Sequence, residues 1–213
     1  MTVLDRSDAE RRARSAEDVV AVVLAAGRGE RFTGGTKQLA TVAGRTLVAH
    51  AVATAHAAGV DRVLVVVGHD RDAVAAAVRA EDPEARIVSN PDHTEGQSTS
   101  FVAGIRAVAS DERARLAVVL LADQPGVAAE AVRAVAAAVR GGAPVARARY
   151  ADAPGHPIAF ARELFERLTD VEGDAGARHL LDDLDVTHVL AAGTVPLDVD
   201  TVEDLAAVRA TLE

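Results

Sequence analysis

Cysteine and tryptophan do not occur in this 213-residue chain, and methionine, tyrosine and lysine occur once each. Without cysteine there is no disulfide framework, no thiolate nucleophile and no Cys-ligated zinc, which agrees with a cytoplasmic location. Aromatic residues make up 2% of the chain against 49% hydrophobic residues, so the expected core is aliphatic, built from Ala, Val and Leu. Long apolar runs are missing too. The longest, VVAVVLAAG and RVLVVVG, have strand length, and no membrane span is expected. Residues 1–18 carry mixed charge and no apolar h-region, so they read as a frayed tail rather than a signal peptide, leaving 19–213 as a single domain. Positive charge is scarce: 23 Lys and Arg against 32 Asp and Glu give a net charge of −9. That balance excludes a nucleic-acid binder, which needs a basic face to displace counterions, and leaves room for a small anionic ligand held by locally gathered cations.

What is present alternates. Apolar β-branched runs are followed by Ala-rich amphipathic stretches, the pattern of strands and crossover helices in a mostly parallel α/β sheet with helices on both faces. Strands are expected at Val19 to Ala25, Arg62 to Val67, Arg86 to Ser89 and Leu116 to Ala122. Helices are expected at Thr46 to Ala58, from an Asp70 cap through Arg79, at Ser98 to Ala109 and at Ala128 to Arg140. After Gly141, PVARARY and HPIAF suggest a hairpin or sheet extension. Short helices follow around Glu163 to Leu168 and Gly176 to Leu184, then strand-like VTHVLAA and VPLDV, and TVEDLAAVRATLE closes as a helix. His50 and His56 are expected on a helix surface. In open α/β sheets ligands sit beyond the carboxyl ends of the strands. The glycine loop after the first strand, Gly68 and His69 after the second, and Asp123 after Leu116 to Ala122 all fall there.

The single lysine, Lys37, ends the loop LAAGRGERFTGGTK; the other 22 basic residues are arginine. A compact ammonium was therefore kept where a planar guanidinium does not serve. Glycines let the backbone approach a phosphate chain, and Arg28, Arg31 and Lys37 can neutralise it. The loop is neither a Walker A, since Gln38 follows Lys37, nor a GxGxxG, since Phe32 stands at the third glycine. Asp123, in LLADQPG, is placed to hold Mg²⁺ through a hard oxygen or to make a turn. Asp198 and Asp200 alternate, so at most one of them reaches that metal, and Asp200 is equally suited to capping the last helix. Ser98, Thr99 and Ser100 open a helix behind Gly96 with hydroxyls suited to an anion or a nucleobase edge, or to capping. No Cys, GxSxG elbow or Ser/His/Asp arrangement is evident, which favours a substrate that brings its own nucleophile.

These blocks together resemble the nucleotidyltransferase family that includes molybdenum cofactor cytidylyltransferase and its guanylyltransferase relatives. LAAGRGERF…KQL resembles the family's phosphate loop, NPDHTEGQSTSF its N-P…G-x-S-x-S segment, LLADQP its G-D-Q-P strand end, and GHPIAF, GDAGARHLL and DVDTVEDL its later blocks. The resemblance runs from Val19 to the C-terminus. It implies a three-layer Rossmann-like fold and attack of a molybdopterin phosphate on the α-phosphate of CTP, or of another NTP, with release of pyrophosphate. It implies nucleotide contacts from Leu24, Ala25, Ala26, Gly27, Arg28, Gly29, Lys37, Gly68, Ser98 and Ser100, with Lys37 and Arg31 in the catalytic role. Asp123 and Asp200 would hold Mg²⁺, His156 and Asp174 would contact the acceptor substrate, and a molybdoenzyme or its chaperone is an implied partner. Gly29 stands where the family often has Ser, Phe32 replaces its Met, and the loop is one residue longer. A branch of the same family comprises nicotine-pigment reductases that use NAD(P)H, so an NAD(P)H-dependent reductase and a noncatalytic molybdopterin carrier stand as alternatives.

Overall fold

The computed structural model describes residues 18–170 and 184–213. The all-apolar β1 (Val19–Ala25), β4 (Val63–Val67) and β6 (Leu116–Leu121) are buried on both faces, as central strands of a parallel sheet must be. Two very short strands, β2 (Thr41–Val42) and β3 (Arg45–Thr46), form a separate hairpin, and β5 (Arg86–Ser89), β7 (Val145–Arg149), β8 (Pro154–Ala161) and β9 (Val186–Leu190) complete the strands. The main sheet has seven strands in the order β5-β4-β1-β6-β8-β7-β9. β8 runs antiparallel to both of its neighbours, and every other pairing is parallel. The mostly parallel α/β sheet expected from the alternating pattern is therefore what forms.

Alternation divides each strand between two cores. Val19, Ala21 and Val23 face one side, where Val48 and Val52 of α1 (Leu47–Ala57), Val74 and Val78 of α2 (Arg71–Glu81) and Val132 and Val135 of α4 (Ala129–Arg140) cover them. Val20 and Val22 face the other, under Ile105 and Val108 of α3 (Gln97–Ala109) and Phe165 and Leu168 of α5 (Phe165–Thr169). That gives three layers. A third cluster joins Phe32 of the glycine loop to Val42, Leu47, Val199 and two residues of the closing helix α6 (Val202–Leu212), Leu205 and Val208. Phe32, the departure from the family's Met, is thus the apolar peg that fastens the loop to the last helix.

Several expectations are corrected. Asp70 occupies the N-cap position of α2 but makes no side-chain cap bond; its backbone is left-handed, with φ of 46°, and its carboxylate accepts the Thr36 hydroxyl instead. VPLDV is not a strand. Its Val199 amide donates to the Asp123 carbonyl at 2.9 Å, so the segment is tied beside the end of β6 without joining the ladder. Gly96, not a hydroxyl residue, is the N-cap of α3. His50 and His56 are half-buried rather than on the surface, bonded to the Val42 carbonyl and to Asp82. Of the expected tail 1–18, Asp18 is held in place, accepting from Arg140 Nη2 at 2.7 Å, while 1–17, the helix at Gly176 to Leu184, apart from Leu184 itself, and Asp174 lie outside the described residues.

Candidate functional site

The carboxyl ends of β1 and β6 and the start of α3 surround a cavity of about 590 Å³. β1 delivers the glycine loop into it. Gly29 turns the chain with φ of 60°, a conformation costly for side-chain-bearing residues, and the Phe32 amide closes that turn on the Gly29 carbonyl at 2.8 Å. The chain then rises over Phe32 and enters one 3₁₀ turn, Lys37–Leu39. There Gln38 donates its Nε2 to the Gly27 carbonyl at 2.6 Å, which pins the two ends of the loop together. Lys37 is thereby carried back under the loop, only 7% exposed.

Lys37 Nζ lies 2.6 Å from Asp123 Oδ2 and 3.1 Å from Asp200 Oδ1, and Arg31 Nη2 reaches the other oxygen of Asp200 at 2.6 Å. Burial alone depresses the ammonium, but the attraction and hydrogen bonds of Asp123 and Asp200 together outweigh it, and the pKa of Lys37 stands above the ordinary lysine range. Among the described residues Arg28 is paired with Glu30 at 3.5 Å, both exposed, a pairing too weakly held to fix it. Asp200 does not cap α6. Thr201 does, in a reciprocal capping box with Asp204, which frees the Asp200 carboxylate to face the lysine. Asp198 points elsewhere: its Oδ1 accepts Gln124 Nε2 at 2.6 Å, and burial raises its carboxyl above the usual range more than that bond lowers it.

One cation already sits between Asp123 and Asp200, so the two carboxylates converge on a single point and offer only hard oxygens. Among the described residues no third Asp, Glu or His joins them in a metal-binding group. Two carboxylates with room for waters and phosphate oxygens fit Mg²⁺ or Mn²⁺, which keep several such ligands.

The cavity gathers most of the residues expected there: Leu24, Ala26, Gly27, Arg28, Gly29, Arg31, Lys37, Ser100, Asp123 and Asp200. Others fall outside it. The Ala25 side chain is buried in the sheet core. Ser98 is buried against a separate groove on the outer side of α3. Gly68 borders a neighbouring hollow, where it lets His93 cross: a Cβ there would stand 2.6 Å from the His93 ring and 2.8 Å from the Ala26 carbonyl. His156 lies on β8, beyond the residues that line the cavity. The sequence reading missed Gln38, His93, Thr94 and Gln97, which do line it. The signal for Gln38 was its place beside Lys37 in KQL, and for the other three it was the NPDHTEGQ segment, where Asn90 organises the wall by donating Nδ2 to Thr99 Oγ1 and Ser100 Oγ, both at 2.9 Å.

The profile described as the MobA-like NTP transferase domain matches residues 21–193. The chain is 35% identical over 199 residues to the nicotine blue oxidoreductase of Paenarthrobacter nicotinovorans, covering 88% of this chain and 94% of that one. It is 40% identical over 99 residues to the 3-deoxy-manno-octulosonate cytidylyltransferase of Chelativorans sp. (strain BNC1), covering 46% of this chain and 38% of that enzyme. Among solved structures, the manganese complex of Rv0371c from Mycobacterium tuberculosis H37Rv superposes with a TM-score of 0.75 at 30% identity, over 91% of this chain and 99% of the other. Among the described residues no helix is long and apolar enough to cross a membrane.

Proposed function

The chain belongs to the MobA-like NTP transferase domain family, and on that premise we propose that it transfers CMP from CTP to the phosphate of a molybdopterin-type acceptor. The observation that carries this reading is the convergence of Lys37, Asp123, Asp200 and Arg31 at the carboxyl ends of β1 and β6. An oxygen of the acceptor phosphate attacks the α-phosphorus of CTP, a new P–O–P link forms, and the α–β bridging bond breaks to release pyrophosphate. The glycine loop presents amides and the Arg28 and Arg31 guanidinium groups to the triphosphate. Lys37, held in place by Gln38 and the loop, places its ammonium on phosphate oxygens of the bound nucleotide. Asp123 and Asp200 are the groups that would hold Mg²⁺, which supplies charge neutralisation to the triphosphate when bound. The base-facing wall is His93, Thr94, Gln97 and Ser100. Positioning and preorganised charge supply the rate enhancement, because no protein nucleophile is needed.

The manganese complex of the Rv0371c relative supports a divalent metal in this family. The nicotine blue oxidoreductase relative favours a second reading, an NAD(P)H-dependent reductase on the same scaffold, since its match covers nearly its whole length. Lys37 and Asp123 argue for transfer over reduction, because hydride transfer requires neither a metal nor that lysine. The test is a turnover assay with α-labelled CTP, Mg²⁺ and molybdopterin, following labelled CMP on the acceptor and pyrophosphate release. Transfer by the wild type and not by Asp123→Asn supports the reading. Oxidation of NADPH in the presence of a quinoid pigment, with no CMP transfer, moves the assignment to the reductase.

A further inference from the structure

Asp123 and Asp200 meet at Lys37 from distant parts of the chain, and their separation decides what the pair can hold. Asp123 follows β6 directly. Asp200 sits on a strap, residues 195–200, that belongs to no ladder, so a carboxylate on it needs other ties to stay in place. The strap runs antiparallel beside the residues that follow β6. The Val199 amide donates to the Asp123 carbonyl at 2.9 Å, Gln124 Nε2 donates to Asp198 Oδ1 at 2.6 Å, and a Cβ added at Gly126 would lie 3.6 Å from that of Pro196. On the other side the amides of Asp200 and Thr201 donate to Asp204 Oδ2 at 3.1 and 2.8 Å. Asp200 is thus tied at both ends, and toward β6 the side chain that makes the tie is Gln124.

Gln124 is 5% exposed, and its Oε1, also buried, meets no donor among the described residues. A buried amide with one half unsatisfied is costly, and a Leu or Met of similar size would pack without that cost. Packing therefore does not account for the residue. Its Nε2 bond does what no apolar side chain can: it couples the residue beside Asp123 to the strap two residues before Asp200. Because Asp123 and Gln124 are adjacent, one places a carboxylate in the site while the other fastens the segment that brings the second.

We propose that Gln124 is a positioning residue that, through Asp198, holds Asp200 at the separation from Asp123 at which the two carboxylates share one cation. Asp198 is its anchor and not a ligand; the proposal rests on the reading of Asp123 and Asp200 as the metal-holding pair. The single lysine makes the test direct, since the full chain labelled with isotopic lysine gives one set of side-chain signals, those of Lys37 between the two carboxylates. In metal-free protein Gln124→Met and Asp198→Ala should each displace the Lys37 ε-methylene signal, whereas Asp198→Asn, which still accepts from Gln124 Nε2, should leave it in place. Mn²⁺ is then titrated and read as paramagnetic broadening of the same signal. Its affinity should fall about tenfold or more in Gln124→Met and Asp198→Ala, and stay within about threefold of the wild type in Asp198→Asn. Gln124→Glu should be as weak as Gln124→Met, and adding Asp198→Asn to it should recover the affinity by reversing donor and acceptor. Urea midpoints of the same variants report the fold. A lower midpoint in Gln124→Met, with the Lys37 signal and Mn²⁺ affinity of the wild type, would make Gln124 a packing residue and overturn the proposal. So would a loss in Asp198→Asn equal to that in Asp198→Ala, which would make the Asp198 charge itself the holding group. Absence of Mn²⁺ binding in the wild type would sink the metal reading, while the metal-free signals would still decide the clamp, so the two can fail separately.

Discussion

In β4, β1 and β6 the ladder is apolar and buried, and polar side chains begin only where the strands stop; in β8, β7 and β9 they enter the strands themselves, as His156, Arg147, Arg149 and His188. The first half is a parallel scaffold that aims loops at one point. In the second half an antiparallel strand, a bulge and an embedded cation make the strand surface itself the polar element. The contrast is between loops carried by a rigid apolar core and a less regular half whose strands carry the polar side chains themselves.

The strongest way to break this comparison is to remove the charge on which the first half converges. Lys37→Met leaves Asp123 and Asp200 without the ammonium between them, and only Asp200 keeps a cation, Arg31; transfer should fall by about 10²-fold or more. The same variant should lose roughly 2 kcal/mol in urea unfolding without metal, with millimolar Mg²⁺ restoring part of it. Lys37→Arg should keep the fold and lose activity, because the larger fork displaces either the carboxylates or the phosphate. Next in size is Gly68→Ala, whose added Cβ meets the His93 ring and the Ala26 carbonyl; overpacking of this kind costs about 1–3 kcal/mol, read as a lower urea midpoint.

A smaller effect sharpens the assignment of Asp200. Thr201→Ala should cost about 1 kcal/mol by removing the α6 cap, whereas Asp200→Asn should leave helix stability nearly unchanged and weaken Mn²⁺ binding. The second half adds a pH slope. The folded His156 has its pKa lowered from 6.5 to about 4, so between those values the unfolded chain binds a proton that the folded chain does not. Stability should therefore fall as pH drops from 6.5 toward 4, with no contribution from this residue above that window. Urea midpoints measured across the range should show a shallower decline in His156→Gln.

The same division explains what could be read from sequence. β1 has the bounds its apolar run implies, because a strand buried on both faces needs an unbroken run and little else, and the edge strand β5 also keeps its expected bounds. Lys37, Asp123 and the glycine loop were legible because each follows such a strand. Asp70 was misread because a tertiary partner, Thr36, took the carboxylate from the cap. VPLDV carries strand-like alternation yet is held by scattered bonds, Val199 N to the Asp123 carbonyl, Val195 N to Asp152 Oδ1 and Gln124 Nε2 to Asp198 Oδ1, rather than by a ladder. Thr201 could have been recognised as the α6 cap from Asp204 three residues on, a pairing that leaves Asp200 for the site. Arg147 gave no signal: only the pairing of β7 with β8 shows that it sits inside a sheet, beside a bulge that local sequence does not encode.

The most direct test of the central claim is a thermal-shift titration of the purified protein with CTP, GTP, ATP and NADPH, each with and without Mg²⁺, in the wild type and in Asp123→Asn. A ligand specific to the folded state raises its melting temperature by mass action. The account predicts a Mg²⁺-dependent rise with CTP that disappears in Asp123→Asn. A rise with NADPH alone, indifferent to Mg²⁺ and to Asp123, would contradict it.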